Sequence, residues 1–164
     1  MKILFLDIDG VLNNHTPHAN DYNGICPAMA DHLDEIVAAT GCRIVLASAW
    51  RYMILCGDMT LTGFADVLLT HGVSRRVADA MAGYLPGDVD FRDPHDRGKL
   101  AREWLSVTGR VIGVTHAVAL DDGDLGYEAV SIASVRPVGD VGLTAQDASR
   151  VILLFLSDES KVTK

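Results

Sequence analysis

Cysteine is scarce in this chain, and the three present, Cys26, Cys42 and Cys56, are odd in number and form neither a CxxC pair nor a Cys/His zinc spacing. That pattern argues against a disulfide framework or structural zinc and for a reducing, cytoplasmic setting. Long apolar runs are absent too: none reaches the ~18 residues of a membrane span. The apolar N-terminus is interrupted at once by Asp7 and Asp9, unlike a signal peptide, so neither a membrane association nor processing is expected. Basic residues are few, 14 Lys and Arg against 22 Asp and Glu, for a net charge of −8. With a pI near 5.0, a broad, sequence-indifferent nucleic-acid surface is disfavoured, which leaves room only for a local basic site. No repeat or low-complexity tract is seen. What the chain does have is 164 residues, 49% of them hydrophobic, and a mean hydropathy of +0.20. This is enough for one sizeable core, so the expectation is a single domain over 1–156 and a polar tail over 157–164.

The apolar run at 2–6 is too short for a helix and suits a strand buried on both faces; it ends on Asp-x-Asp-Gly. A polar stretch over 13–24 follows. Residues 27–40 then carry Met29, Leu33, Ile36 and Val37 at helical spacing and end at Gly41. The run 42–47 (CRIVLA) predicts a second strand stopping at Ser48, and 53–69 allows another helix. The segment 73–96 is broken up by Gly83, Pro86, Gly87 and Pro94 and is expected to be irregular, although 75–84 has helical character. A helix is predicted over 97–107, a strand over 116–120 ending on Asp121 and Asp122, and a strand over 129–135. Thr144 with Asp147 resembles a capping box opening a helix to 156.

Strands alternating with helices predict an α/β fold: a three-layer, Rossmann-like arrangement with a mainly parallel sheet. Ligands of such sheets bind beyond the carboxyl ends of the strands. Asp7 and Asp9, Ser48, and Asp121 and Asp122 each follow a predicted strand, so the topology gathers them at one edge. Carboxylates converging there repel one another unless a cation lies between them. The donors are all oxygens, with no sulfur or imidazole, which favours a hard cation, Mg²⁺ first, with Asp7, Asp9, Asp121 and Asp122 as the candidate ligand residues.

The string FLDIDGVLN, Ser48 within ASAWR, the basic RGKLAREWL and the ALDD of 119–122 resemble, in order, the four signatures of haloacid dehalogenase (HAD) superfamily phosphatases. More narrowly, LDIDGVLN, S-x-W-R, Arg97 ahead of EWL, LDD and a late GLT are similar to the HAD domains of multifunctional (Swiss Army Knife) RNA repair proteins. The resemblance implies an Mg²⁺-dependent phosphohydrolase working through an aspartyl-phosphate. Asp7 would be the nucleophile and a metal ligand. Asp9 would be the general acid and base, and its backbone carbonyl would ligate the metal. Gly10 would permit the tight turn, Ser48 would donate to a phosphoryl oxygen, and Asp121 would complete the metal site. Asp122 would be a second ligand or would orient metal-bound water and the basic residue. The phosphate-binding cation is Arg97 by the narrower family and Lys99 by the wider one, with Arg97 preferred. Asn13, in the family string, is expected to contact substrate. Arg51 would hold a second phosphate or the substrate backbone, or else pair with an acidic neighbour.

Each feature also has a plainer reading. Asp-x-Asp-Gly alone is often a turn, Asp121 and Asp122 could be a solvated turn, and Ser48 could simply cap the next helix. Trp50 is weighed as packing ahead of base stacking, and Trp104 as core. The six histidines lack metal spacing, and only His15 and His18 are near enough to line the entrance. Short intervals between the motifs leave little or no room for a cap domain. An open cleft suits phosphate at the end of a bulky molecule, so the implied partners are phosphorylated substrates such as RNA or DNA ends. Two other classes compete. A receiver-type signalling domain uses similar groups in a different order, and a catalytically silent phosphate- and metal-binding module would be an interaction partner instead of an enzyme.

Overall fold

The computed structural model describes residues 1–14, 24–87 and 96–157. Much of the polar stretch 13–24, with His15 and His18, lies outside these residues, as do His95 and nearly all of the tail expected over 157–164.

Strand β1 (Lys2–Leu6) has every residue after Lys2 fully buried, because both faces of the sheet are covered. Helix α1 (Pro27–Thr40) starts with proline, whose missing N–H costs nothing in a first turn. It stops at Gly41, whose left-handed φ of 63° lets its N–H return to the Val37 carbonyl. Strand β2 (Arg43–Leu46) leads through Ser48 into a 3₁₀ turn (Ala49–Arg51) and the short helix α2 (Tyr52–Leu55). Helix α3 (Leu61–Thr70) is capped by Thr60 and helix α4 (Arg75–Ala80) by Ser74, each side chain accepting from a backbone N–H three residues on. Helix α5 (Asp96–Trp104) runs on into a π-helical turn (Leu105–Gly109). Strand β4 (His116–Leu120) is where the pattern predicts it. The capping box forms as well: Asp147 N–H donates to Thr144 Oγ1 at 3.2 Å and Thr144 N–H to Asp147 Oδ2 at 3.2 Å, opening helix α6 (Ala145–Ser157).

Three expectations change. The single helix over 53–69 is divided by residues 56–60 into α2 and α3. The segment expected to be irregular contains α4 and then strand β3 (Met81–Tyr84), an edge strand paired parallel to β2 with a register shift between Ile44 and Val45. The strand expected over 129–135 shortens to β5 (Ala133–Val135), because a 3₁₀ turn occupies Glu128–Val130 and Ser131 takes a left-handed φ of 64°.

Among the described residues five strands form one sheet, all parallel, in the order β3-β2-β1-β4-β5. Leu4, Leu6, Ile44, Leu46, Val118 and Leu120 face a core built with α1, α3, α4 and α6. Ile3, Phe5, Val45, Ala47 and Ala119 face the opposite core, where Ala101, Trp104 and Tyr127 cover them. The result is three layers. The chain passes from β1 to β2 on one side and returns to β4 on the other, so the order reverses at β1, and the crevice lies at the carboxyl ends of β1 and β4. Among the described residues, α3 and α4 between the second and third motifs pack on the sheet as part of the same layers.

Helix α5 approaches the loop after β4 very closely. Gly98 N–H donates to the Leu125 carbonyl at 2.9 Å, and a Cβ on Gly98 would collide with the Gly126 carbonyl and come within 2.8 Å of Tyr127 N. Both obstacles are backbone and cannot swing aside. Gly98→Ala should therefore cost about 3 kcal/mol, the upper end of overpacking penalties, and this is measurable as a lowered denaturant midpoint. Wild-type stability in this variant would mean that α5 does not sit so close.

Candidate active site

The register of the central strands brings the acidic residues together. Leu6 is paired with Leu120, so the next residues, Asp7 and Asp121, emerge side by side, and Asp7 N–H still donates to the Leu120 carbonyl at 2.9 Å. Both are withdrawn from solvent, at 5% and 1% exposure, whereas Asp122 is half-buried. Ligand oxygens of Asp7, Asp121 and Asp122 lie within 4.8 Å of one another.

Three carboxylates at that spacing demand positive charge, and Arg97 supplies part of it. Its Nη1 lies 2.9 Å from Asp7 Oδ2 and 2.7 Å from Asp121 Oδ2. Arg97 occupies the first turn of α5, and the close seat of Gly98 on Gly126 delivers it to the strand ends. The other carboxylate oxygens are held by backbone: Ile8 N–H donates to Asp7 Oδ1 at 2.9 Å and Gly123 N–H to Asp121 Oδ1 at 3.0 Å. Tyr127 Oη donates to Asp121 Oδ2 at 3.3 Å from beneath.

Burial, and then the Asp7 charge, push the Asp121 carboxyl up to about 6 against the pull of Arg97. For Arg97, burial acts to lower the pKa, but Asp7 and Asp121 outweigh it and the net shift is upward, so the guanidinium stays charged. Burial and the Asp121 charge also raise Tyr127, keeping it a neutral donor.

Asp9 is placed differently. Of the four carboxylates expected in one crevice, three cluster, and that of Asp9 turns toward the rim. Its Oδ1 accepts from Asn13 Nδ2 at 2.9 Å and its Oδ2 from Trp50 Nε1 at 3.0 Å. Gly10, at φ 75°, bends the chain here, and its N–H donates to Asn13 Oδ1 at 2.8 Å. Asn13 thus ties both ends of the turn and fixes the Asp9 carboxylate.

Ser48 is fully buried beyond β2, its Oγ accepting from Trp50 N at 3.3 Å. Arg51 is also fully buried. Instead of pairing with an acid, its Nη1 donates to the Ala47 carbonyl at 3.1 Å and the Ser48 carbonyl at 2.9 Å, and the guanidinium lies 4.8 Å from the centre of the Tyr52 ring. Among the described residues its Nε and Nη2 have no acceptor, a costly state for buried N–H groups. Burial lowers the Arg51 pKa, partly offset by Tyr52. Lys99 follows Arg97 by two residues, about 200° around the helix, and is exposed. Arg97 meets the aspartates, and Lys99 leaves α5 on a different side.

Two contributors escape a reading of the sequence. Trp50, weighed there as packing, does lean on Phe64 in the core but also engages Asp9; its position between Ser48 and Arg51 was the available signal. Tyr127 had none, because only the return of the loop after β4 brings it under Asp121. A hollow of about 650 Å³ lies around the amino end of β4, with Arg102, Arg110 and His116 in its wall. It contains none of the clustered aspartates.

No helix among the described residues is long and apolar enough to cross a membrane. The family described as the HAD domain in Swiss Army Knife RNA repair proteins matches residues 3–148. Curated proteins and solved structures supply no match.

Proposed function

Because the chain belongs to the family of HAD domains in Swiss Army Knife RNA repair proteins, we propose that it is an Mg²⁺-dependent phosphohydrolase that removes terminal phosphates from nucleic acid. The observation that carries this reading is the cluster of buried Asp7 and Asp121 with half-buried Asp122, Arg97 lying across it, at the reversal point of the sheet. The clustered side chains offer oxygen donors only, with no sulfur or imidazole, so the residues fit a hard divalent cation. Asp7, Asp121 and Asp122 would hold Mg²⁺, joined by the backbone carbonyl of Asp9. The ion, when bound, supplies charge neutralisation at the phosphoryl oxygens.

In this reading an Asp7 oxygen attacks phosphorus in line, and the bond to the leaving oxygen breaks as Asp9 gives that oxygen a proton. Asp9 then takes a proton from water, whose oxygen attacks the aspartyl-phosphate and releases inorganic phosphate with Asp7 regenerated. Arg97 transfers its hydrogen bonds from the carboxylates to phosphoryl oxygens. Ser48 donates its hydroxyl hydrogen to the same group, and Arg51 Nε and Nη2, without an acceptor among the described residues, offer further donors to substrate. The free thiols of Cys26, Cys42 and Cys56 accord with a cytoplasmic setting.

The test is phosphate release, with Mg²⁺ and with EDTA, from RNA and DNA bearing 3′- or 5′-phosphate and from mononucleotides. Metal-dependent release that favours the polymer ends is expected. Release from no substrate would favour a silent binding module, and preference for mononucleotides would remove the nucleic-acid assignment.

The metal also gives a pH signature. The folded-state pKa of Asp121 is raised to about 6, so its contribution to stability is present below the ordinary carboxylate range and is lost as pH rises through about 6. Mg²⁺ binds the ionised form, so the rise in Tm that it causes should be small near pH 5 and grow by pH 7, as ligand deprotonation requires. Calorimetry across that window checks this, and a pH-independent Mg²⁺ effect would separate the metal from Asp121.

A further inference from the structure

Beside Asp9 the surface opens into a hollow of about 430 Å³ lined by Asp9, Ala49, Trp50 and Met53. Trp50 is anchored on two sides. Its Nε1–H donates to Asp9 Oδ2 at 3.0 Å, and the fully buried Phe64 meets it edge-on, with ring centres 6.3 Å apart and planes at 79°. Both Trp50 and Met53 are half-buried, packed on the core below and open to the hollow above. An indole fixed at its N–H edge and supported from the core is a preorganised flat surface. Met53, three residues on, adds a polarizable thioether to the same side. Among the described residues no cation lines the hollow, so it suits a flat, uncharged group better than a second phosphate.

The hydrogen bond also says where that group sits relative to the reacting atoms. The indole N–H lies in the ring plane, so Asp9 is at the edge of the ring and not over its face. A ring stacked on Trp50 is therefore displaced sideways from the oxygen that Asp9 would protonate. A nucleotide has this spacing, because ribose separates base from phosphate. A phosphotyrosine does not, because its ring carries the ester oxygen directly.

We propose that Trp50 and Met53 form the stacking site for the base of the terminal nucleotide, so that the substrate is a phosphorylated nucleic-acid end carrying a base beside the phosphate. This rests on the phosphatase reading above. Stacking is indifferent to which base is present, so the site selects for a base without selecting a sequence.

Mg²⁺-loaded wild type, Trp50→Ala and Trp50→Phe would be compared on short RNAs with 3′- or 5′-phosphate whose terminal nucleotide is intact or abasic. Wild type should show a KM for the intact end lower than for the abasic one by about fivefold to a hundredfold, the range of single-base stacking on an aromatic. Trp50→Ala should lose that difference, and Trp50→Phe, which keeps a face but not the N–H, should retain most of it. Equal KM values in wild type, or an undiminished preference in Trp50→Ala, would overturn the proposal.

A second measurement is independent of turnover: tryptophan fluorescence of Asp7→Asn titrated with the same RNAs. Trp104, the other of the two tryptophans, is buried at 7% exposure, so quenching reports on Trp50. Quenching by intact ends and not by abasic ends supports the stacking site, even if no RNA releases phosphate and the phosphatase reading has failed. Equal or absent quenching, or stronger quenching by a phosphotyrosine peptide, rejects it.

Discussion

Asp7→Asn should lower phosphate release at least about a thousandfold, because an amide oxygen cannot replace a carboxylate as nucleophile, while the protein remains folded. The substitution is nearly isosteric in a site of 5% exposure. The single amide oxygen can keep the 2.9 Å contact with Ile8 N–H only by turning its NH2 toward Arg97, so one of the two wild-type contacts is given up. One of three crowded negative charges disappears, and Arg97 keeps its 2.7 Å partner Asp121. Repulsion is relieved about as much as attraction is lost, so Tm should hold or rise. Steady-state release and a thermal melt on the same sample check both halves. A rate within tenfold of wild type would remove Asp7 from the chemistry, and a collapsed melt would show that its carboxylate is needed for folding.

Arg97→Ala should have the largest effect on stability, about 3–5 kcal/mol, the usual consequence of stranding a buried ionic partner. Here two carboxylates, Asp7 and Asp121, lose the group that bridges them at 2.9 and 2.7 Å. The cost depends on conditions. It should be greatest at neutral pH in EDTA, shrink when Mg²⁺ supplies replacement charge, and shrink again as pH falls toward about 6, because Asp121 without the Arg97 that lowers its pKa takes up a proton sooner than in wild type. Arg97→Lys should recover part of the stability but less of the activity, because an ammonium lacks the planar fork that can span two acceptors. Denaturant melts at two pH values with and without Mg²⁺ measure the pattern. The same loss under all four conditions would mean that Arg97 contributes packing instead of charge.

The parts of this fold legible in the sequence are those whose causes are local. Buried parallel strands read as unbroken apolar runs, which identified β1 and β4 to the residue. Proline at the start and glycine after the end framed α1, and Thr144 with Asp147 marked α6. Strand β3 was hidden because Met-Ala-Gly-Tyr has no β-branched residue; pairing with β2 makes it a strand. Strand β5 was overextended because 129–135 is rich in β-formers, yet the left-handed Ser131 ends the turn before the strand can begin.

The same division runs through the site. Strand ends brought Asp7, Ser48 and Asp121 to one crevice by a topological rule. Which way each side chain turns once there is a matter of contacts between distant segments. Asp9 turns to Trp50 across 41 residues, and Arg97 reaches Asp121 across 24. The depth of Arg51, with its Nη1 spent on the Ala47 and Ser48 carbonyls, follows from the tight 3₁₀ turn after β2, which no residue count reveals.

The central claim is that the phosphoryl group passes through Asp7, and trapping it there is the most direct test. Wild type and Asp7→Asn would be mixed with Mg²⁺ and radiolabelled, phosphate-terminated RNA, quenched in acid within one turnover, and mapped by peptide. Label on the peptide containing Asp7, absent from the variant, is the expected result. Phosphate release that proceeds with no label on Asp7 at any time, or that survives in Asp7→Asn, would contradict the account.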